Sequence, residues 1–323
     1  MTTFSVHEPE SQVAKALRRF SGAPPAPPTP QEVAALPVAR ELITGDPFLP
    51  PELEREIFEL AAELETDAVF DSWRQRVGST VLVLPRVCRR VKSWIEPFMY
   101  RDIVLRQSFN GADPVLRFLA AVDSHPPSFF ATHVKHLYFD PIMPLFFVQK
   151  VLSVCTGVIV LGCHHPYSSL APLIASLPLR RLLLAELTLP TTPEAIPPWA
   201  ASLTHLGISK TLPADPRAAF AALPALTHLA VGYDALPHPA MPGMGAMLAA
   251  LFSACPGVRC LILVTESKTN YKWALQRLRD DGFADARFYV HLRPVMDATW
   301  DGWWRPAPDM FSEAEDHLKS RTR

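Results

Sequence analysis

The chain lacks an excess of charge of either sign. Lys and Arg number 31 against 32 Asp and Glu, a formal net charge of −1 over 323 residues. Without a basic surplus there is no electrostatic footprint for nucleic acid or an anionic membrane surface, so neither is an expected partner. Long apolar runs are missing too. The longest, VLSVCTGVIVLGC from Val151, follows Gln149 and Lys150 and is too short to cross a bilayer. The opening MTTFSVHEPESQ has no basic segment leading into an apolar one, which predicts no secretory signal. Five cysteines (Cys88, Cys155, Cys163, Cys255, Cys260) form no CxxC pair, and an odd count cannot close into disulfides alone. Free thiols in a reducing intracellular setting, cytoplasmic or nuclear, are expected. The sequence also holds no GxSxG, GxGxxG or P-loop.

What is present is proline, 34 residues of it, together with a composition 49% hydrophobic and 20% charged. The second pair of figures predicts a folded core, and the first predicts many short elements with hard stops between them. Residues 1–45 form a Pro-rich lead expected to lack order. Its SGAPPAPPTP stretch favours an extended, polyproline-like chain and reads as a linker or as a ligand for a proline-reading domain.

From Pro47 the pattern becomes helical. In PFLPPELEREIFELAAEL, Pro50 and Pro51 suit a first turn. Leu53, Ile57, Leu60 and Leu64 recur at the spacing of one helix face. The following ETDAVFDSWRQRVGST reads as irregular. A second helix is predicted from Pro85 to Pro97, with Leu84, Cys88, Val91 and Ile95 as its apolar stripe. Two such short helices cannot cover their own apolar faces and require a third element or a partner.

Beyond Tyr100 the chain repeats. YRDIVL, VKHLYF, VIVLGC, LRRLLL, LTHLGI, LTHLAV and VRCLIL start 21–34 residues apart, each with apolar residues at positions 1, 4 and 6, and ARFYVHL from Ala286 is a weaker last copy. Candidate helices lie between them: DPVLRFLAAVD, PLFFVQKVLSVC, DPRAAFAAL and MGAMLAALFSAC. A short strand, a helical or irregular return and another strand at this period is solenoid spacing, and the 1-4-6 signature is the strand portion of a leucine-rich repeat. A doubly wound α/β domain also alternates helix and strand, but its buried parallel strands read as continuous apolar runs. Only Cys163 supplies the Asn or Cys expected after the third apolar position.

In such a solenoid the residues flanking the middle anchor point outward on a concave sheet and stack copy upon copy. That register places His136, Val160, Arg181, His205, His228 and Cys260 in one row, and Tyr138, Gly162, Leu183, Gly207, Ala230 and Ile262 in the next. His136, Tyr138, Arg181, His205 and His228 are the candidate target-binding residues. The row either reads an acidic or phosphorylated peptide or is a solvated face, or one covered by a loop. The CHH of Cys163–His165 lacks the second ligand pair a zinc site needs, so neither a metal nor a cofactor is expected. Near the C-terminus TWDGWW (Thr299–Trp304) and a polar helix from Asp309 suit the cap of a solenoid, or an aromatic partner-binding patch.

FLPPELEREIFELAA followed by VLPRVCRRVKSWIEPFMYRDIVL resembles an F-box, and the pieces LPPELEREIFELA and WIEPFMYR are similar to F-box-like proteins of basidiomycete fungi. The family pattern falls on Leu49, Pro50, Glu52, Leu53, Ile57, Phe58, Val87, Cys88, Arg89, Arg90, Tyr100 and Arg101. The insert between the helices is longer than the family's, and Trp94 is displaced from the usual tryptophan position. The resemblance implies that Leu49, Pro50, Glu52, Leu53, Ile57, Phe58, Val87, Cys88 and Val91 dock a Skp-type adaptor of a cullin-RING ubiquitin ligase. The expectation is therefore an α/β protein: the lead (1–45), a helical F-box-like module (46–100), an irregular leucine-rich-repeat solenoid (101–305) and a C-terminal polar helix or tail (306–323). It would act as a non-enzymatic substrate receptor of an SCF-type ligase, a monomer outside the complex, with an unidentified protein target on the repeats. A scaffold without adaptor binding and a hydrolase or thiol enzyme on an α/β fold are the alternatives.

Overall fold

The sheet grows one strand at a time because the apolar anchors recur in step. In this computed structural model the described residues are 49–69, 80–105, 114–140, 143–190, 196–236, 243–292 and 309–321. The chain divides into two compact units, residues 1–54 and 55–323. Leu49 and Pro50 lead into helix α1 (Pro51–Val69), and the Pro50 carbonyl accepts the Glu54 N–H at 3.0 Å. Proline in this first turn forfeits no helical hydrogen bond, and Glu52 and Glu54 complement the positive end of the helix dipole.

Helix α1 continues to Val69, so the segment from Glu65 that reads as irregular begins as helix. Residues 70–79, like the Pro-rich lead and TWDGWW, lie outside the described residues. A short helix α2 (Thr80–Val83) and a 3-10 turn (Leu84–Arg86) precede α3 (Arg89–Arg101). Both predicted ends of this second helix are corrected. Pro85 sits in the 3-10 turn and Cys88 is the N-cap, its sulfur accepting the Val91 N–H at 3.5 Å. Pro97 lies inside α3 instead of ending it, where an interior proline costs about 3 kcal/mol. The next turn offsets that cost: the Tyr100 ring sits 5.2–6.4 Å from the rings of Phe118, His125, Phe129 and Phe130, two of them edge-on.

Eight strands follow: β1 (Asp102–Leu105), β2 (His136–Phe139), β3 (Val160–Gly162), β4 (Arg181–Glu186), β5 (His205–Thr211), β6 (His228–Gly232), β7 (Cys260–Thr265) and β8 (Phe288–Leu292). They form one sheet in strictly sequential order, every neighbouring pair parallel. The order never reverses, as it does in a doubly wound sheet. Register places Ile103, Leu137, Leu161, Leu182, Leu206, Leu229, Leu261 and Phe288 in one line across the sheet. From Leu137 onward this line belongs to a single apolar core shared with the helices. Full burial of each leucine contributes roughly 1.5–3 kcal/mol. The last copy is shifted by one residue from the predicted register: Phe288 and Val290 take positions 4 and 6. Position 1 is then Asp285, whose carboxylate holds the Arg287 guanidinium at 2.8 Å.

The returns contain α4 (Pro114–Ser124), α5 (Pro127–His133), α6 (Leu145–Val154), α7 (Tyr167–Ile174), α8 (Pro216–Ala221), α9 (Met244–Ala254) and α10 (Lys268–Asp280). Asp215 caps α8 as its Asp-Pro start predicts, accepting the Ala218 N–H at 3.1 Å. Helices α5, α7 and α10 are additional to the four returns the sequence pattern predicts, and Ser267 caps α10 through the Asn270 N–H at 3.0 Å. Cys155 and Cys255 end α6 and α9 alike, each N–H reaching back one turn. Gly157, just after α6, admits no side chain, because a Cβ would fall 1.9 Å from the Ala131 carbonyl oxygen. A final helix, α11 (Met310–Arg321), returns across the opposite face of the sheet. Among the described residues no helix is long and apolar enough to cross a membrane.

Replacing Tyr100 with alanine is expected to destabilise the chain by about 2–4 kcal/mol in urea denaturation, the range for removing a large packed aromatic. A loss below about 1 kcal/mol would show that the aromatic cluster does not carry α3 past Pro97.

Candidate functional site

Two surfaces hold the residues singled out by sequence. The first is the helical pair α1 and α3. Inside it Ala62, Leu84, Val91 and Ile95 are buried, with Phe58, Ala61, Val81, Trp94 and Phe98 packed around them. Phe58 lies 6.5 Å from Trp94, ring to ring, and the Arg90 guanidinium sits over the other ring at 5.4 Å. The inward side of α1 is therefore Phe58, Ala61 and Ala62, at i, i+3 and i+4. The larger aliphatic side chains point outward: Ile57 is 53% exposed, Leu60 54%, Val83 48% and Val87 59%. In the first unit Leu49, Pro50, Glu52 and Leu53 are also exposed. Of the candidate adaptor-binding residues, then, Leu49, Pro50, Glu52, Leu53, Ile57, Val87 and Cys88 are at the surface and Phe58 is half-buried. Val91 corrects the list: it is 0% exposed, a core residue of the pair with no surface to offer a partner.

The second surface is the sheet face turned away from the main core. Parallel register aligns Asp102, His136, Val160, Arg181, His205, His228 and Cys260 in one row. It aligns Tyr138, Gly162, Leu183, Gly207, Ala230 and Ile262 in the next. The two LTHL copies build identical local geometry. The Thr204 and Thr227 hydroxyls lie 2.8 and 2.9 Å from the Nδ1 atoms of His205 and His228. The imidazoles stack on each other at 4.2 Å with planes 3° apart.

This row is covered by α11, a segment remote in sequence whose polar pattern predicts a C-terminal cap or tail. Leu183, Ala230, Cys260, Ile262 and Val264 form a second apolar cluster with Met310, Phe311 and Ala314. The Phe311 ring meets the two histidines edge-on, 4.9 and 5.7 Å from His205 and His228. Asp309 pairs with Arg181 and also caps α11 through the Ser312 N–H at 2.7 Å. Glu315 Oε1 lies 2.9 Å from His228 Nε2, so neutral His228 carries its proton on Nε2. Arg181, His205 and His228 are thus brought together, but against this chain's own helix. His136 is paired with Asp102 at the other end of the row, and Tyr138, 3% exposed, is a buried residue that the candidate target-binding set must drop.

Burial governs the chemistry available. It pushes the thiols of Cys155, Cys163, Cys255 and Cys260 up to about 12, so none is a thiolate at neutral pH. His165 donates through Nε2 to the Met143 carbonyl at 2.7 Å. Ser209 Oγ lies 3.4 Å from His164 Nδ1 and 3.3 Å from the Leu184 carbonyl, both residues buried. Ser209 and Thr265, whose hydroxyl donates to the His291 carbonyl at 3.2 Å, tie adjacent strand ends together. Hydroxyls one or two residues past the third anchor are the sequence signal that could have marked these ties. Among the described residues no group of three or more His, Cys, Asp and Glu is placed to hold a metal ion.

The same burial makes α11 docking sensitive to acid. His205 is held down to about 3, first by burial and then by His228 and Arg181. His228 is also lowered, burial outweighing the opposing pull of Glu315 and Asp309. A depressed base is neutral in the docked state and gains a proton on release. Its contribution is therefore complete above the free value near 6.5 and is lost as pH falls below it. The melting temperature is expected to fall by several degrees between pH 7 and 5, and a His205→Gln, His228→Gln variant to flatten that slope. An identical slope in the variant would place the acid sensitivity elsewhere.

Searches with protein-family models, against curated proteins and against solved structures give no match to this chain.

Proposed function

We propose that the chain is a substrate receptor of an SCF-type cullin-RING ubiquitin ligase, with an F-box-like module at α1–α3 and a leucine-rich-repeat solenoid behind it. The observation that carries this reading is the inverted polarity of α1. Alanines and one phenylalanine face inward, while Ile57 and Leu60, with Leu82, Val83 and Val87 from the segment before α3, stand exposed. Exposed aliphatics collected on one small helical pair mark a docking surface, and a helix-in-groove partner is what the F-box resemblance implies. Leu49, Pro50, Glu52 and Leu53 are exposed as well, and the F-box resemblance implies that they too contact the adaptor.

The repeat reading is supported by sequential parallel strands, one line of anchors and helical returns on a shared core. The sheet face carrying Arg181, His205 and His228 is then the target-binding side. The four buried thiols lend no support to a thiol-enzyme reading.

The test is capture of a purified Skp-type adaptor by the full chain. Ile57→Asp and Val87→Asp are each expected to weaken capture by about 100-fold or more, consistent with losing a buried anchor, while leaving the melting temperature within about 2 °C. Val91→Asp is expected to unfold the helical pair instead. Undiminished capture by both surface variants, or no capture by the parent chain, would leave the scaffold reading in its place.

A further inference from the structure

The occupied sheet face shows what kind of ligand it accepts. Without α11 it would present Leu183, Ala230, Cys260, Ile262 and Val264 as an apolar strip bordered by Arg181, His205, His228 and His291. What α11 lays on it is specific in chemistry: Met310, Phe311 and Ala314 into the strip, Asp309 onto Arg181, Glu315 onto His228 and Glu313 toward His291 at 3.8 Å. The hold is short. Ser312, Glu315 and Leu318 are half-buried, while Asp316, His317 and the last three described residues are exposed. A helix of this length is marginal in water without such packing.

We propose that this face is a docking site for an acidic amphipathic helix of a partner protein, and that residues 309–321 are an intramolecular occupant which that helix displaces. The partner helix carries a Met-Phe-type apolar pair directly after an acidic N-cap, with a small residue and a second carboxylate one turn further on. The inference rests on the reading of this face as the target-binding side, but it does not depend on adaptor capture. A tethered competitor present at high effective concentration lowers the apparent affinity of any partner in proportion to its own docking equilibrium. The face is thereby kept for ligands that reproduce both the apolar pair and the carboxylates.

The probe is a fluorescent synthetic peptide of residues 309–321, titrated by anisotropy into the full chain. Binding to a full-length Phe311→Glu variant, whose own helix cannot seat, is expected to be at least 10-fold tighter than to the parent. Adding Arg181→Glu to that variant is expected to remove the gain. Equal affinity for parent and Phe311→Glu, or indifference to Arg181→Glu, overturns the proposal. Concentration-dependent dimers exchanging this helix overturn it in favour of a second copy as occupant. Hydrogen exchange on the parent decides independently, should the variant fail to fold. Amides of 310–321 are expected to open at least 100-fold more often than those of β6 and β7, and exchange only through global unfolding makes α11 a fixed structural cover. Adaptor capture is measured in parallel on every folded variant; its loss in all of them would point to failure of the adaptor reading and not of this one.

Discussion

The in-register stacking of one apolar anchor per strand is the constraint on which the structure depends. Leu137, Leu161, Leu182, Leu206, Leu229 and Leu261 lie in a single line, each at most 1% exposed. Because side chains alternate across a parallel strand, fixing that line on the helix side fixes its neighbours on the other. Arg181, His205 and His228 share a row for that reason alone. Two identical LTHL segments at adjacent strands then bring two imidazoles face to face. A one-residue slip would turn these polar groups into the main apolar core and the leucines out of it, so the energetics of the core and the chemistry of the opposite face are set by the same event.

The opposite face could not remain bare. Its second row is apolar wherever α11 reaches it, and the helix covers it with few side chains. The cost is carried by the histidines, which are forced neutral by burial next to Arg181. Docking of α11 thus depends on apolar contact, a carboxylate–guanidinium pair and the protonation state of a histidine stack. These are separable contributions, and each responds to a different perturbation.

Much of the repeat was legible because its information is local. The 1-4-6 spacing marks seven strands, and Asp215 before Pro216 marks a helix start. What stayed hidden is long-range or balanced between competing terms. Asp309 meets Arg181 across 128 positions, and no local pattern tells which sheet face a polar helix will cover. Pro97 breaks helices by every local rule, yet aromatic contacts of Tyr100 with residues 18–30 positions away outweigh it. On α1 the spacing of Leu53, Ile57 and Leu60 marks an apolar stripe in need of a cover, and the protein leaves it exposed while burying Ala62 and packing Phe58 and Ala61. What the periodicity did not mark is the inward side, because the small Ala61 and Ala62 carry little apolar signal beside leucine and isoleucine. In the last repeat Asp285 replaces the first apolar anchor, so the periodicity that located the other copies points one residue too far.

The proposed receptor role depends on the exposed aliphatics of the first helices being buried by an adaptor. Isothermal titration calorimetry of the full chain with a purified Skp-type adaptor at several temperatures measures that burial directly. The account predicts a 1:1 complex with a dissociation constant below about 1 μM and a negative heat-capacity change from apolar burial. No complex at adaptor concentrations of about 100 μM, or a complex without a heat-capacity change, would contradict it.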